Sequence, residues 1–305
     1  LRQILSGDNG LHNTVVTIIA PERGGLTEDI LARAAALIKA QGVPDVRPVW
    51  LTRARAVDLH IPVARPELTQ VLRQKFNDFG RFDVFVQTDD VPRQKKIMLA
   101  DMDATMIEGE SLDDIAAEVG VKDKIAPITE RAMRGEIDFA EALQERLKIL
   151  EGTRIDVFQN VLSRIVFSKG GAEAIKVLKR HGTHCVLVSG GFDMFTGAVA
   201  ASLGFDAHFG NRIVFEQGRL TGGALPPILD KEAKKKILLD LCRQRNVPPT
   251  ETMAVGDGSN DIPMLQAAGM GIGYFAKPRV VAATPHHIRF TDLTALVYAQ
   301  GYVID

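Results

Sequence analysis

"IMLADMDATMIEGE", residues 97–110, begins as an apolar strand and then sets Asp101 and Asp103 one residue apart, with no basic residue beside them. Three more apolar runs follow: "CVLVSGG" (185–191), "MAVGDG" (253–258) and "MGIGY" (270–274). None alternates with polar residues and helical segments separate them, the pattern of parallel strands buried on both faces. The first three end in Asp101, Ser189 and Asp257. Each alone reads more readily as a turn. In open α/β sheets, however, ligands bind beyond the carboxyl ends of the strands, so three such endings point to one shared site.

The period of two along an extended chain puts Asp101 and Asp103 on the same side. Two close carboxylates repel unless they share a proton or a cation, and a hard cation such as Mg²⁺ takes oxygen ligands together with water and substrate phosphate. Asp257, in "GDGSND" (256–261), supplies a third carboxylate, and Asp261 is placed to reinforce it. In "DKEAKKKILLDLC" (230–242), helical spacing turns Lys235 and Lys236 toward solvent but sets Lys234 in the inward stripe with Ile237, Leu238 and Leu241. A phosphate over an acidic site needs such a cation. Ser189 and the backbone N–H of Gly190 are placed to donate to its oxygens.

Between the first two apolar runs lies a mostly helical insertion. Ser111 with Asp114 resembles a capping box, and Asp138 with Glu141 resembles a second cap that opens a helix running to Leu150. On that helix Phe139, Leu143, Leu147 and Leu150 form an apolar stripe with Arg146 in its middle. A guanidinium facing apolar surface snorkels, pairs internally, or meets an anionic ligand. The pattern alone leaves all three open.

The first 90 residues read as strand, helix, two strands, helix, strand, a β-α-β-β-α-β order that predicts a small ferredoxin-like α+β unit. "TDDVPRQKK" (88–96) then makes a polar linker.

Thirty-seven basic and 38 acidic residues over 305 positions give a net charge of −1, which argues against nucleic acid or an anionic membrane as partner. Cys185 and Cys242 are too few for a disulfide framework and fit buried thiols. No run approaches about 18 consecutive apolar residues, and "LRQILSGDNG" lacks a signal-peptide pattern, so a cytoplasmic location is expected. Adjacent His286 and His287 point apart on an extended segment and read as surface or loop histidines rather than metal ligands.

The DxDx[TV] pattern of "DMDAT", the serine ending the second run, the inward Lys234 and GDxxxD in "GDGSND" together resemble the haloacid dehalogenase (HAD) superfamily of phosphatases, over roughly residues 95–295. "AMRGEIDFAEALQERLKIL" (132–150), "VSGGFD" (188–193), "GNRIVF" (210–215) and "AVGDGSNDIPML" (254–265) look, within it, like the phosphoserine phosphatase family of bacterial type.

The resemblance implies an α/β fold: a HAD-like Rossmannoid core with a parallel sheet and a small helical cap at about 109–168. Residues 93–305 would form this phosphatase domain, behind an ACT-like regulatory or dimerisation domain at 1–92. It further implies hydrolysis of O-phospho-L-serine to L-serine and phosphate, the last step of serine biosynthesis. Asp101 would be the nucleophile forming an aspartyl-phosphate, and Asp103 the general acid and then base. Mg²⁺ would be held by Asp101, the backbone carbonyl of Asp103 and Asp257. Ser189, Gly190 and Lys234 would hold the phosphate, Glu110 the ammonium and Arg146 the carboxylate. Asn260 matches a substrate-side asparagine, and Met133 and Phe139 match apolar cap contacts that could equally be plain packing. Ala104 stands where many relatives carry Ser, which touches substrate preference rather than the acid pair.

Two other readings stay open on the sequence: a HAD phosphatase for another small phosphomonoester, and an amino-acid sensor with a silent core. A homodimer is one expected assembly.

Overall fold

The computed structural model describes residues 13–304 apart from Pro44 and Gly135, and leaves the side chains of Met133 and Arg134 undescribed. Two compact units emerge.

The first unit follows the order β1 (Thr14–Ile19), α1 (Glu28–Lys39), β2 (Arg47–Thr52), β3 (Ala56–Ile61), α2 (Pro66–Asn77) and β4 (Asp83–Thr88). Its strands form an antiparallel sheet in the order β2-β3-β1-β4, the ferredoxin-like arrangement expected from the element order. Thr27 caps α1 by accepting from the Ile30 N–H, and Pro66 opens α2, where its missing donor costs nothing. Val16, Ile18, Leu59 and Ile61 pack against Ala34, Ile38, Leu72 and Phe76. The edge strand β2 is mostly exposed and begins Arg47-Pro48, residues that discourage edge pairing.

The second unit runs from Lys96 to Thr284. β5 (Ile97–Ala100) leads into a tight turn and then into α3 (Ser111–Glu118), α4 (Lys122–Arg134), α5 (Phe139–Ile149) and α6 (Ile155–Ser163). These four helices are the inserted cap. The chain continues through α7 (Gly171–Arg180), β6 (His184–Phe192), α8 (Asp193–Leu203), β7 (Ala207–Glu216), β8 (Arg219–Leu225) and α9 (Lys231–Arg245). It then forms β9 (Thr252–Gly256), α10 (Ile262–Ala267), β10 (Met270–Tyr274) and α11 (Pro278–Ala283).

These strands follow the order β10-β9-β5-β6-β7-β8, parallel throughout except for the β7–β8 hairpin. β5, β9 and β10 are buried along their whole length, which is why their sequences lack alternation. With β5 at the centre, its carboxyl end opens between those of β6 and β9.

From Pro285 the chain rejoins the first unit, with β11 (His286–Ile288) against β4 and α12 (Ala295–Tyr298) against β1. This differs from a division at 92/93 that keeps 93–305 together. Asp83 fastens the returning segment by accepting from the backbone N–H groups of Arg289, Phe290 and Thr291 and from Thr291 Oγ1. Arg93 donates to Asp58 and Thr17 on the neighbouring strands and to the carbonyls of Tyr298 and Ala299 in the returning segment. His286 corrects the surface assignment: it is buried and stacked on Phe85 with ring centroids 5.7 Å apart, because the returning segment covers the sheet face that carries Phe85. Both cysteines are buried and free, and burial pushes the Cys185 thiol up to about 12.

Among the described residues no helix is long and apolar enough to cross a membrane.

Candidate active site

Asp101 directly follows β5, and its N–H donates to Val255 O of β9, which fixes the carboxylate at the sheet's carboxyl end. The next residues cannot stay extended. Ala104 adopts φ 51°, a left-handed conformation that costs a non-glycine residue roughly 1–3 kcal/mol and is typical of functional turns. The turn closes through Ala104 N–H to Gly109 O and Ile107 N–H to Met102 O.

The turn brings the start of α3 back to Asp103. Asp103 Oδ1 accepts from the Ser111 N–H at 2.8 Å, and Oδ2 accepts from Ser189 Oγ at 3.0 Å. This corrects the expected capping box. Ser111 is the first helical residue of α3 rather than its cap, and Asp103 serves the helix's exposed N–H instead. The cap expected at Asp138 is present, its Oδ1 accepting from the Glu141 N–H at 2.8 Å.

Lys234, on α9, is 1% exposed. Its Nζ lies 2.6 Å from Asp101 Oδ1 and 2.7 Å from Asp261 Oδ1. Asp230 starts that helix by accepting from the Ala233 N–H, which sets the register that turns Lys234 inward while Lys235 and Lys236 stay exposed. Burial lowers the Lys234 pKa, but the two carboxylates outweigh it and hold the ammonium charged. Asp101 is raised well above the carboxylate range by burial and by Asp261, with Lys234 pulling the other way.

The carboxylates of Asp101, Asp257 and Asp261 offer oxygens within 4.8 Å of one another, all buried. Three hard oxygen donors at the end of a parallel sheet fit a hard divalent cation. The carboxylate of Asp103 stands outside this trio, engaged by Ser111 and Ser189. Gly256 must be glycine here, because a Cβ would come 2.5 Å from Asp261 Cγ.

Ser189 lies where β6 loses register with β7, between Val188 and Phe192. Its Oγ also accepts from the Gly191 N–H at 2.8 Å, which bends the backbone around the site. Gly190 carries no side chain because the cap residue Phe139 fills that space, its Cζ 2.9 Å from where a Cβ would stand. The Met133 side chain lies outside the described residues. Asn260 sits in the turn after β9, its carboxamide oxygen crowding Gly258.

At the cap side, burial and then the Asp103 charge push the half-exposed Glu110 up to about 7. Arg146 is partly buried on α5 and its Nε donates to Ala142 O. Burial lowers its pKa, partly offset by Asp113 and Glu110, so an acid and a guanidinium face the same region.

Two residues escaped the sequence reading. Lys277, just past β10, lies 3.0 Å from Asp257 Oδ2 and 3.8 Å from Glu110 Oε1, and so links the acidic trio to the cap. The signal was available, since it follows the fourth apolar run as Asp101, Ser189 and Asp257 end the other three. Asn211 sits within β7 and gave none. Its amide donates to Gly190 O, and its Oδ1 accepts from the Leu229 N–H.

The assembly thus offers a buried carboxylate beside a fixed ammonium, a second carboxylate oriented by two donors, and a cation-binding trio.

The family model of haloacid dehalogenase-like hydrolases matches residues 98–266. The chain is 38% identical over 259 residues to the phosphoserine phosphatase of Saccharomyces cerevisiae, covering 83% of this chain and 84% of the yeast protein. In structure it resembles a HAD-family hydrolase from Salmonella enterica serovar Typhi, with a TM-score of 0.82 and 31% identity over 94% of this chain and 98% of the other. It also resembles a phospho-aspartyl intermediate analogue of a phosphoserine phosphatase, with a TM-score of 0.63 and 35% identity over 67% and 98% of the two chains.

Proposed function

Because this chain belongs to the haloacid dehalogenase-like hydrolases, we propose that it hydrolyses O-phospho-L-serine to L-serine and phosphate through an aspartyl-phosphate on Asp101. The observation that carries this reading is the buried Lys234 ammonium bridging Asp101 and Asp261 beside Asp257, a phosphate-binding cation set into a metal-binding trio.

Asp101 attacks phosphorus, with Lys234 favouring its ionised form against burial. The Ser111 N–H and the Ser189 hydroxyl hold Asp103 in place to give its proton to the departing serine oxygen. Asp103 then takes a proton from the water that opens the phosphoenzyme. Ser189, the Gly190 N–H and Lys234 hold the phosphoryl oxygens. Asp101, the backbone carbonyl of Asp103 and Asp257 would hold Mg²⁺, with Asp261 behind them. When bound, the ion offsets negative charge on the phosphoryl group. The all-oxygen donor set supports a hard divalent ion such as Mg²⁺.

Glu110 receives the substrate ammonium and Arg146 its carboxylate, supported by the electrostatic coupling of the two side chains and by the names of the relatives. Asn260 closes the substrate side. A cytoplasmic role in serine biosynthesis, with the amino-terminal unit as an ACT-like regulatory or dimerising module, completes the reading.

Phosphate release across a panel of O-phospho-L-serine, O-phosphoethanolamine, which lacks the carboxylate, and sugar phosphates tests the substrate. Strong preference for phosphoserine is expected. Equal turnover of all of them would leave a general phosphomonoesterase.

A further inference from the structure

The first unit carries a concentration of positive charge of its own. A cavity of about 40 Å³ lies between α2, β4 and the segment from Pro285, lined by Arg73, Asn77, His287 and Arg289 over apolar walls that include Phe76 and Val84. It would hold about three waters at the usual 10–15 Å³ or so each.

Among the described residues, no carboxylate neutralises either guanidinium. Arg73 spends Nε and one terminal nitrogen on Val86 O, and Arg289 spends its two terminal nitrogens on Asn77. Arg289 Nε is buried with no hydrogen-bond partner. The nearby Asp83 does not help, since its oxygens are taken by the N–H groups of residues 289–291 and by Thr291 Oγ1. Burial lowers the Arg73 pKa with no offsetting charge, and the adjacent His286 is depressed by burial and then by Arg73, His287 and Lys95. A partly buried, uncompensated guanidinium pair is costly unless an anion completes it.

We propose that this cavity binds one compact oxyanion of the phosphate type, held between the guanidinium groups of Arg73 and Arg289 with Asn77 and His287 beside them. A dianion matches the two fixed charges. Among the described residues no acidic side chain lines the cavity, so the ammonium of a free amino acid would find no partner in that lining. That selects an inorganic oxyanion over an amino-acid effector and makes the first unit a sensor of phosphate, a product of the reaction proposed above.

Calorimetric titration of the full-length chain with inorganic phosphate tests this. Wild type is expected to show two binding events, one at each site, and the Arg73→Gln/Arg289→Gln variant only one, with turnover of phosphoserine at low phosphate unchanged. A variant that keeps every event of the wild type overturns the proposal. Should the phosphatase reading fail instead, wild type would show a single event that the variant loses. Crystals of the wild type grown with selenate give a measurement independent of how the variant folds. An anomalous peak between Arg73 and Arg289 is expected, and a peak at Lys234 without one in the cavity would overturn the proposal.

Discussion

Lys234 Nζ lies 2.6 Å from Asp101 Oδ1, with both side chains sealed from solvent. This buried pair links stability to chemistry. Removing one partner of such a pair leaves an uncompensated charge and costs roughly 3–5 kcal/mol. Lys234→Met is therefore expected to lower the melting temperature and to reduce kcat by about 100-fold or more, since the phosphate also loses its fixed cation. Thermal melts and steady-state kinetics check both; an unchanged melting temperature would contradict the pairing.

Arg146 is assigned to the substrate carboxylate. Arg146→Ala should raise KM for phosphoserine by about tenfold or more, since each 1.4 kcal/mol of lost binding is a factor of about ten, while turnover of an aryl phosphate lacking a carboxylate changes little. A uniform loss on both substrates would return Arg146 to a packing role.

Glu110, raised to about 7 chiefly by partial burial and then by Asp103, gives a pH signature. On the proposed reading it is ionised above that value and pairs with the ammonium, and as pH falls through 7 it takes a proton and the pairing is lost. KM for phosphoserine is expected to rise on acidification, and Glu110→Gln to hold it high at every pH. A pH–KM series on both proteins decides the matter.

His286 predicts acid sensitivity in the first unit. Burial, then Arg73, depresses its pKa to about 3, whereas an unfolded histidine titrates near 6.5. Below about pH 6.5 the unfolded chain binds the extra proton, so stability falls with pH, by about 2 kcal/mol at roughly pH 5. His286→Phe keeps the stack on Phe85 and should narrow the difference in melting temperature between neutral and acid buffer.

Much of the second unit was legible in the sequence because fully buried parallel strands leave unbroken apolar runs, and their ends placed Asp101, Ser189 and Asp257 together. Lys234 was legible because a lysine inside an apolar helical stripe conflicts with its own chemistry. What escaped depends on contacts without local periodicity. The left-handed turn at Ala104 brings the start of α3, and with it the Ser111 N–H, back to Asp103, which a period-two extrapolation could not foresee. Lys277 follows the fourth apolar run, but its approach to Asp257 is set by the loop after β10, three residues beyond the strand's end. The return of residues from Pro285 to the first unit joins segments some 200 positions apart, as in the contact of Asp83 with Arg289, and no window of sequence contains both.

The central claim is that Asp101 is a metal-assisted nucleophile toward phosphoserine. Phosphate release from O-phospho-L-serine, measured for wild type and Asp101→Asn with Mg²⁺ and with EDTA, tests it most directly. Release by wild type with Mg²⁺ alone, and by Asp101→Asn under neither condition, is the predicted result. Full activity in Asp101→Asn would contradict it.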